Sequence, residues 1–538
     1  MSQQIDRRTL YKSAATIAAG LLPAAAAAET PPAAPQPAPD MAERIRALAP
    51  DLERQVTAGM AAFGVPGAAI GIVAGDRLVY AKGFGTRRKG GGGSVGPKTV
   101  FQIGSTTKAL LATLLAVAVD RGRLAWDDRV VDRDPSFALK DPYVTREFRI
   151  YDLLAQRSGL PPYANDALSA LGFDAARLMR SLRFVEPTTS FRSTFAYTNI
   201  THTFAGRIAA KALDAPDWPT LATREITGPL GMRDTSFSAE AIAASPDHAV
   251  GHRWTAAGPV AIPFDPSFPY LFGPAGDINS TVADCARWLR LQIGNGVFAG
   301  RRFVSVENLR ATRTPKVALN DVTTYAMGWI ISATPNGRAV WHNGGTSGFG
   351  AHIGFLPGRD VGVIVLTNLE NKGFPDAVGL WIYDRLLGNP TIDHMHDALA
   401  RAKTEQAKQQ ELYKKPASPR PPPDPASVVG DYGSDELGPA TLAAEGGGLA
   451  LTLRETGARL ELRPFDGAVF TAHLVPKGRF APIVATLGDT PFGFADLAAD
   501  LEGRLTRLRW TVEGQAHLWA KRQPRPTSPP EPQKRAVE

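Results

Sequence analysis

The sequence of 538 residues holds a single cysteine, Cys285. An intramolecular disulfide and a multi-cysteine metal site are therefore both excluded. Cys285 lies in 281–289, an amphipathic helical pattern, and reads as a small buried hydrophobe rather than a reactive thiol. Long apolar runs are missing too. The uncharged stretch from Ser13 to Ala28 has 16 residues, short of the roughly 20 that a membrane span needs. Charge of one sign is scarce once it is located: 60 Lys+Arg against 52 Asp+Glu leave +8, of which 1–28 carry +2 and 521–538 carry +3. A nucleic-acid protein concentrates positive charge on its folded face, so nucleic acid is set aside as a partner. Hydrophobic residues at 44% and charged residues at 21% exclude a disordered, collagen-like or polytopic membrane chain.

Composition marks out the ends and joints. Arg7-Arg8 precede the weakly apolar run, which closes on the small residues Ala26-Ala27-Ala28. This predicts a twin-arginine export signal over 1–28, and so a periplasmic or secreted protein with no integral membrane segment after signal removal. A Pro/Ala linker at 29–40 follows. Residues 393–425 join a helix-forming stretch to a polyproline spacer, Pro416 to Pro425. Beyond it the hydrophobic period becomes two: Leu449, Leu451 and Leu453 share one face, as do Leu508, Trp510 and Val512. An antiparallel barrel or sandwich is expected over 426–522, then a disordered Pro-rich tail over 523–538. The remaining 41–392 forms one large domain. Apolar strand runs at 68–73 and 361–366 flank helical stretches such as 106–121 and 201–213. That arrangement predicts an α+β domain whose sheet is completed by distant segments.

Three short segments carry chemistry. In Gly104-Ser105-Thr106-Thr107-Lys108, Ser105 follows a strand-like stretch and opens an apolar helix, which puts Lys108 one turn away. A serine hydroxyl needs an adjacent base, and a lysine serves if burial or the helix N-terminus destabilises its ammonium. Alone, the pair reads better as a capping serine beside a surface lysine. In Tyr197-Thr198-Asn199, the tyrosine relays a proton and the Asn amide holds the lysine or a substrate carbonyl. In Trp341-His342-Asn343-Gly344-Gly345, glycines after a strand admit an acyl group close to the backbone. A backbone N–H there pairs with that of Ser105 as an oxyanion hole, and His342 binds a carboxylate or assists proton transfer.

In this order the three segments resemble the serine β-lactamase and penicillin-binding protein superfamily, and within it the class C β-lactamase-like serine hydrolases of the S12 peptidase type. Arg157-Ser158-Gly159-Leu160-Pro161, Gly228-Pro229-Leu230-Gly231-Met232 and Pro274-Ala275-Gly276-Asp277 fit the same pattern, and the resemblance covers about 41–390. It implies an antiparallel sheet flanked by helices, with a helical subdomain and the site between them. Ser105 is implied as the acylated nucleophile, Lys108 and Tyr197 as base and relay, and Asn199, His342, Gly344 and Gly345 as substrate-binding. The reaction implied is acyl transfer without metal or organic cofactor. One departure matters: His342 stands where class C β-lactamases carry lysine, as in the family's esterases and D-amino-acid peptidases, so true β-lactamase activity is not expected. The C-terminal region resembles the lipocalin-like domains of some of these peptidases. The expected substrate is a short peptide or amide, D-residue-containing or a linearised cyclic peptide. Alternatives are a small acyl ester, or cell-wall peptide bound without turnover.

Other catalytic readings fail on inspection. Phe349 stands where a nucleophile elbow around Ser347 needs glycine. Gly83-Phe84-Gly85 is followed by Arg88, so no dinucleotide fingerprint forms. His248 with His252, and His394 with His396, lack the context of a metal pair.

Overall fold

The computed structural model describes residues 40–446 and 448–522. The expected export signal, almost all of the Pro/Ala linker and the tail lie outside the described residues. From Met41 onward the chain forms one compact unit.

The two apolar strand runs become neighbours. Gly67–Ala74 and Val361–Thr367 pair antiparallel, Ala68 opposite Thr367 and Val73 opposite Gly362, at the heart of a nine-stranded sheet. Side chains alternate across a strand, and here both faces are covered. Ala69, Val73, Ile364 and Leu366 enter one core cluster, while Ala68, Ile70, Ile72, Val363 and Val365 enter another. Helices Met41–Phe63 and Phe374–Leu387 close the second face. Helix Val282–Ile293, capped by the Thr281 side chain accepting from Asp284 N–H, lies on the first. Cys285 sits on it, fully buried, and burial pushes its thiol up to about 12. The α+β expectation thus holds. The expected helices run Thr107–Asp120 and Ile200–Ala212.

The C-terminal region closes into a barrel of eight antiparallel strands, from Gly430–Gly433 to Gln515–Lys521. Tyr432 opposite Lys521 makes the closure. Leu449, Leu451, Leu453, Leu508, Trp510 and Val512 fill its interior, as their period of two predicts. The spacer before it contains the helix His394–Leu412, and its polyproline stretch is strapped to the barrel through Arg420, whose N–H and guanidinium both donate to Asp466. Leu168 and Leu171 of the large domain belong to the same continuous core as Phe480, Ile483 and Phe492 of the barrel, so the barrel is packed against the domain it follows.

One close approach sets the centre of the molecule. Strand Gly337–Thr346 runs against the segment that leads into Ser105. A Cβ on Gly344 would lie 2.0 Å from Ile103 O, and one on Gly104, whose φ is +52°, would lie 2.9 Å from Gly345 N. Neither position has room for a side chain. Gly344→Ala is expected to lower the free energy of unfolding by about 1–3 kcal/mol, read from urea denaturation. An unchanged midpoint would show that the two backbones can part without cost.

Candidate active site

Ser105 sits in the single 3-10 turn Gly104–Thr106 that feeds helix Thr107–Asp120. This helix is apolar on almost every side and buried from Thr107 to Ala118, which draws Lys108 into the interior with it. Lys108 is fully buried. Its Nζ donates to Asn199 Oδ1 at 2.7 Å and to Ala275 O at 2.7 Å, and lies 3.0 Å from Ser105 Oγ. Both of the first two partners are pure acceptors, so two N–H bonds are committed to them. The third direction, toward Ser105, carries a hydrogen in the ammonium and a lone pair in the amine. Burial lowers the lysine to about 7, with the Asp166 carboxylate pulling the other way. A neutral amine aimed at a serine hydroxyl is thereby accessible near neutral pH.

Tyr197 packs its ring against this amine, with Nζ 4.7 Å from the ring centroid. Burial, reinforced by Tyr325, raises its hydroxyl well above its ordinary value, while a hydrogen bond with Ser105 opposes that rise. Tyr197 therefore stays a hydroxyl at neutral pH. Asn199 immediately precedes helix Ile200–Ala212. Its Nδ2 donates to Asp166 Oδ2 at 2.5 Å, which turns its Oδ1 toward Lys108. Ser105, Tyr197, Asn199 and Gly345 line one cavity of about 740 Å³.

Strand parity separates the remaining candidates. Asn343, Gly345 and Ser347 line the cavity, whereas His342, Gly344 and Thr346 are not among its walls. His342 is buried behind them. Its Nε2 meets the Tyr325 hydroxyl at 2.9 Å and its Nδ1 faces Asn343 O at 2.5 Å. Burial and the nearby Lys108 lower it to about 3, so it is neutral and acts on the cavity through Tyr325, which does line it. Gly344 serves the close packing on Ile103 described above.

Several residues of this site stand outside the three segments. Asp166, from the 3-10 turn Asp166–Leu171, is raised to about 7 by burial. Gln156 has φ +55° and clamps the Tyr197 segment: its Oε1 accepts from Thr198 N–H at 2.6 Å and its Nε2 donates to Thr198 O at 3.2 Å. Beside it, the fully buried Asp152 accepts from both Arg157 and Arg192. Gln156 directly precedes Arg157-Ser158-Gly159, which was the available signal. Asp166 gave none, because nothing near it in sequence points to Lys108. Two histidines weighed as metal ligands are occupied elsewhere: His252 accepts from Lys89 N–H and faces Asn368 O, and His394 pairs with Asp384. Among the described residues, no group of three His, Cys, Asp or Glu could hold a metal ion, and no helix is long and apolar enough to cross a membrane.

Known proteins resemble this chain in sequence and fold. A family model described as Beta-lactamase matches residues 52–387. Unguisins hydrolase ungD of Aspergillus violaceofuscus is 27% identical over 499 residues, which are 82% of this chain and 86% of that protein. Penicillin-binding protein 4 of Amycolatopsis lactamdurans is 28% identical over 382 residues, 68% of this chain and 93% of that one. The solved octameric penicillin-binding protein homologue from Pyrococcus abyssi superposes with a TM-score of 0.57 at 21% identity, covering 88% of this chain and 99% of that chain, a likeness of fold.

The clamp on the Tyr197 segment is open to test. Gln156→Ala leaves the buried Thr198 N–H without its partner and is expected to cost about 1–3 kcal/mol of stability. It should lower kcat more than it raises KM, because it loosens Tyr197 rather than the walls of the cavity. An equal effect on both constants would show that Gln156 supports the fold without holding the relay.

Proposed function

The chain belongs to the beta-lactamase family of serine hydrolases, and on that premise we propose that it cleaves short peptides or amides, D-residue-containing or linearised cyclic peptides among them, through a covalent acyl-enzyme. The observation that carries this reading is the buried Lys108 amine, held by Asn199 and Ala275 and aimed at Ser105. Similarity to a hydrolase of unguisins over most of both chains is consistent with this reading. The likeness to a penicillin-binding protein sustains a second reading, in which the chain takes up an acyl group and holds it. For the site of action we propose the periplasm or the exterior of the cell, on the arginine pair and small-residue run of 1–28.

The steps follow from which groups hold protons. Neutral Lys108 accepts the Ser105 proton as Oγ attacks the substrate carbonyl carbon. The negative charge that develops on the carbonyl oxygen faces the backbone N–H groups of Ser105 and Gly345. Collapse of this intermediate breaks the bond to the leaving nitrogen. That nitrogen takes a proton from the Tyr197 hydroxyl, which regains one from the Lys108 ammonium. Water then attacks the acyl-enzyme, with the same groups acting in reverse, and frees the acid and Ser105.

Mass spectrometry of linear L- and D-peptides, a chromogenic ester and a cephalosporin should show multiple-turnover peptide cleavage that Ser105→Ala abolishes. Ester turnover alone would transfer the assignment to an esterase, and a stable acyl mass without turnover to a binder. The rate should also report the lysine. Because Lys108 must be neutral, kcat/KM is expected to rise with pH through about 7. The Asp166 carboxylate favours the ammonium, so Asp166→Asn should move this limb to lower pH. A limb that stays in place would release Lys108 from the role of base.

A further inference from the structure

The cavity walls carry charge of one sign. Asp166, Asp265, Asp376 and Glu513 line it, with no lysine or arginine among the lining residues. Two of these carboxylates are engaged. Asp265 accepts from Ser267 N–H and Oγ–H, and Asp376 accepts from Asn343 Nδ2 and faces His352 Nδ1. The other two keep acceptor capacity for a ligand. Asp166 Oδ1 is buried without a hydrogen-bond partner among the described residues, while Glu513 stands exposed on the cavity wall, where partial burial raises its carboxyl. These two lie close enough for Glu513 to raise Asp166 further.

Glu513 comes from the barrel. Strands Leu505–Val512 and Gln515–Lys521 pair Val512 with Gln515, which leaves Glu513-Gly514 as a two-residue turn with φ of +50° and +76°. Such a turn favours Asn, Asp or Gly at its first position, and a long side chain with positive φ is disfavoured there. The tip is also pinned in place: Gln515 Oε1 accepts from Asn165 N–H at 2.9 Å, and its Nε2 donates to Tyr163 O at 3.2 Å. A disfavoured glutamate is thus fixed over the nucleophile's cavity, beside an unpaired carboxylate oxygen.

We propose that Glu513, with Asp166 beneath it, forms the subsite for a cationic group of the substrate, an ammonium that the aromatic rings of Tyr163 and Tyr197 border. This inference rests on the hydrolase reading of the same cavity and adds the charge of the substrate to it. An α-amino terminus and a basic side chain offer the same chemistry.

The probes are alanine p-nitroanilides of both configurations, the 6-aminohexanoyl anilide, and the N-acetylated form of each. Binding to the full chain carrying Ser105→Ala is measured by calorimetry, and hydrolysis by the Ser105 enzyme in parallel. The preference for free over acetylated amine is expected to fall about 10- to 100-fold in Glu513→Gln, the scale of a lost charge-assisted contact. Glu513→Asn should reproduce the fall while fitting the turn better, so that a folding defect is excluded. Loss confined to the alanine probes assigns the ammonium to a peptide N-terminus, and loss confined to the 6-aminohexanoyl probe assigns it to a side chain; either supports the subsite. A preference that stays within about two-fold in both variants, or no preference in the parent protein, overturns it. Calorimetry decides this even where no probe is hydrolysed, an outcome that would count against the hydrolase reading alone.

Discussion

The site depends on keeping one ammonium group out of water. Lys108 lies on a helix so apolar that its side chain has nowhere to reach solvent. What meets its Nζ is a serine hydroxyl, an amide oxygen and a backbone carbonyl, and no carboxylate touches it directly. Burial without a contact ion pair destabilises the charged form, which makes a base from a residue that is ordinarily an acid's partner. Asp166 acts at one remove, through the Asn199 amide. A direct ion pair would restore the ammonium and remove the base; a carboxylate behind an amide orients the amide and still leaves the amine accessible. The three neighbours of Lys108 come from a helix N-terminus, a loop end and the segment before Gly276, so the hydrolase core has to fold as a whole before the base exists.

The barrel belongs to the same site. Its core is continuous with that of the large domain, its spacer is strapped to it by Arg420, and Ile483, Leu487, Phe492 and Glu513 supply part of the cavity wall. A cavity of about 740 Å³ with a second domain along its rim is of the size that holds a small ligand, and the barrel turn adds a carboxyl group to its wall.

How far the sequence revealed this follows from the range of each interaction. Ser105 and Lys108 were legible because their relation is local, one helical turn. Tyr197 and Asn199 were legible because two residues of the right chemistry stand together. The runs at 68–73 and 361–366 are legible as apolar strands, though only the fold makes them partners and covers both their faces. The sequence pattern points His342 toward substrate, but the period of two along its strand puts Asn343 and Gly345 toward the cavity and His342 behind Tyr325. Gln156, Asp166 and Glu513 act entirely through tertiary proximity, and no local pattern announces such residues.

A strained residue is informative in a way that a well-accommodated one is not. Most positions with positive φ here are glycine, where the backbone conformation has little cost and carries little meaning. Four of the nine exceptions among the described residues lie in or beside the cavity: Gln156, Tyr163, Asn165 and Glu513. Each has a contact that explains why it stays there. Gln156 holds Thr198, the Tyr163 and Asn165 backbones receive Gln515, and Glu513 reaches the cavity. Each such residue costs on the order of 1–3 kcal/mol and persists only where the surroundings over-determine it. Here the surroundings are two domains that fold on different patterns, helical in one and alternating in the other. Their seam runs through three of the four, Tyr163, Asn165 and Glu513. The conformations that neither domain favours alone are fixed by packing them together, and the substrate cavity lies along that seam.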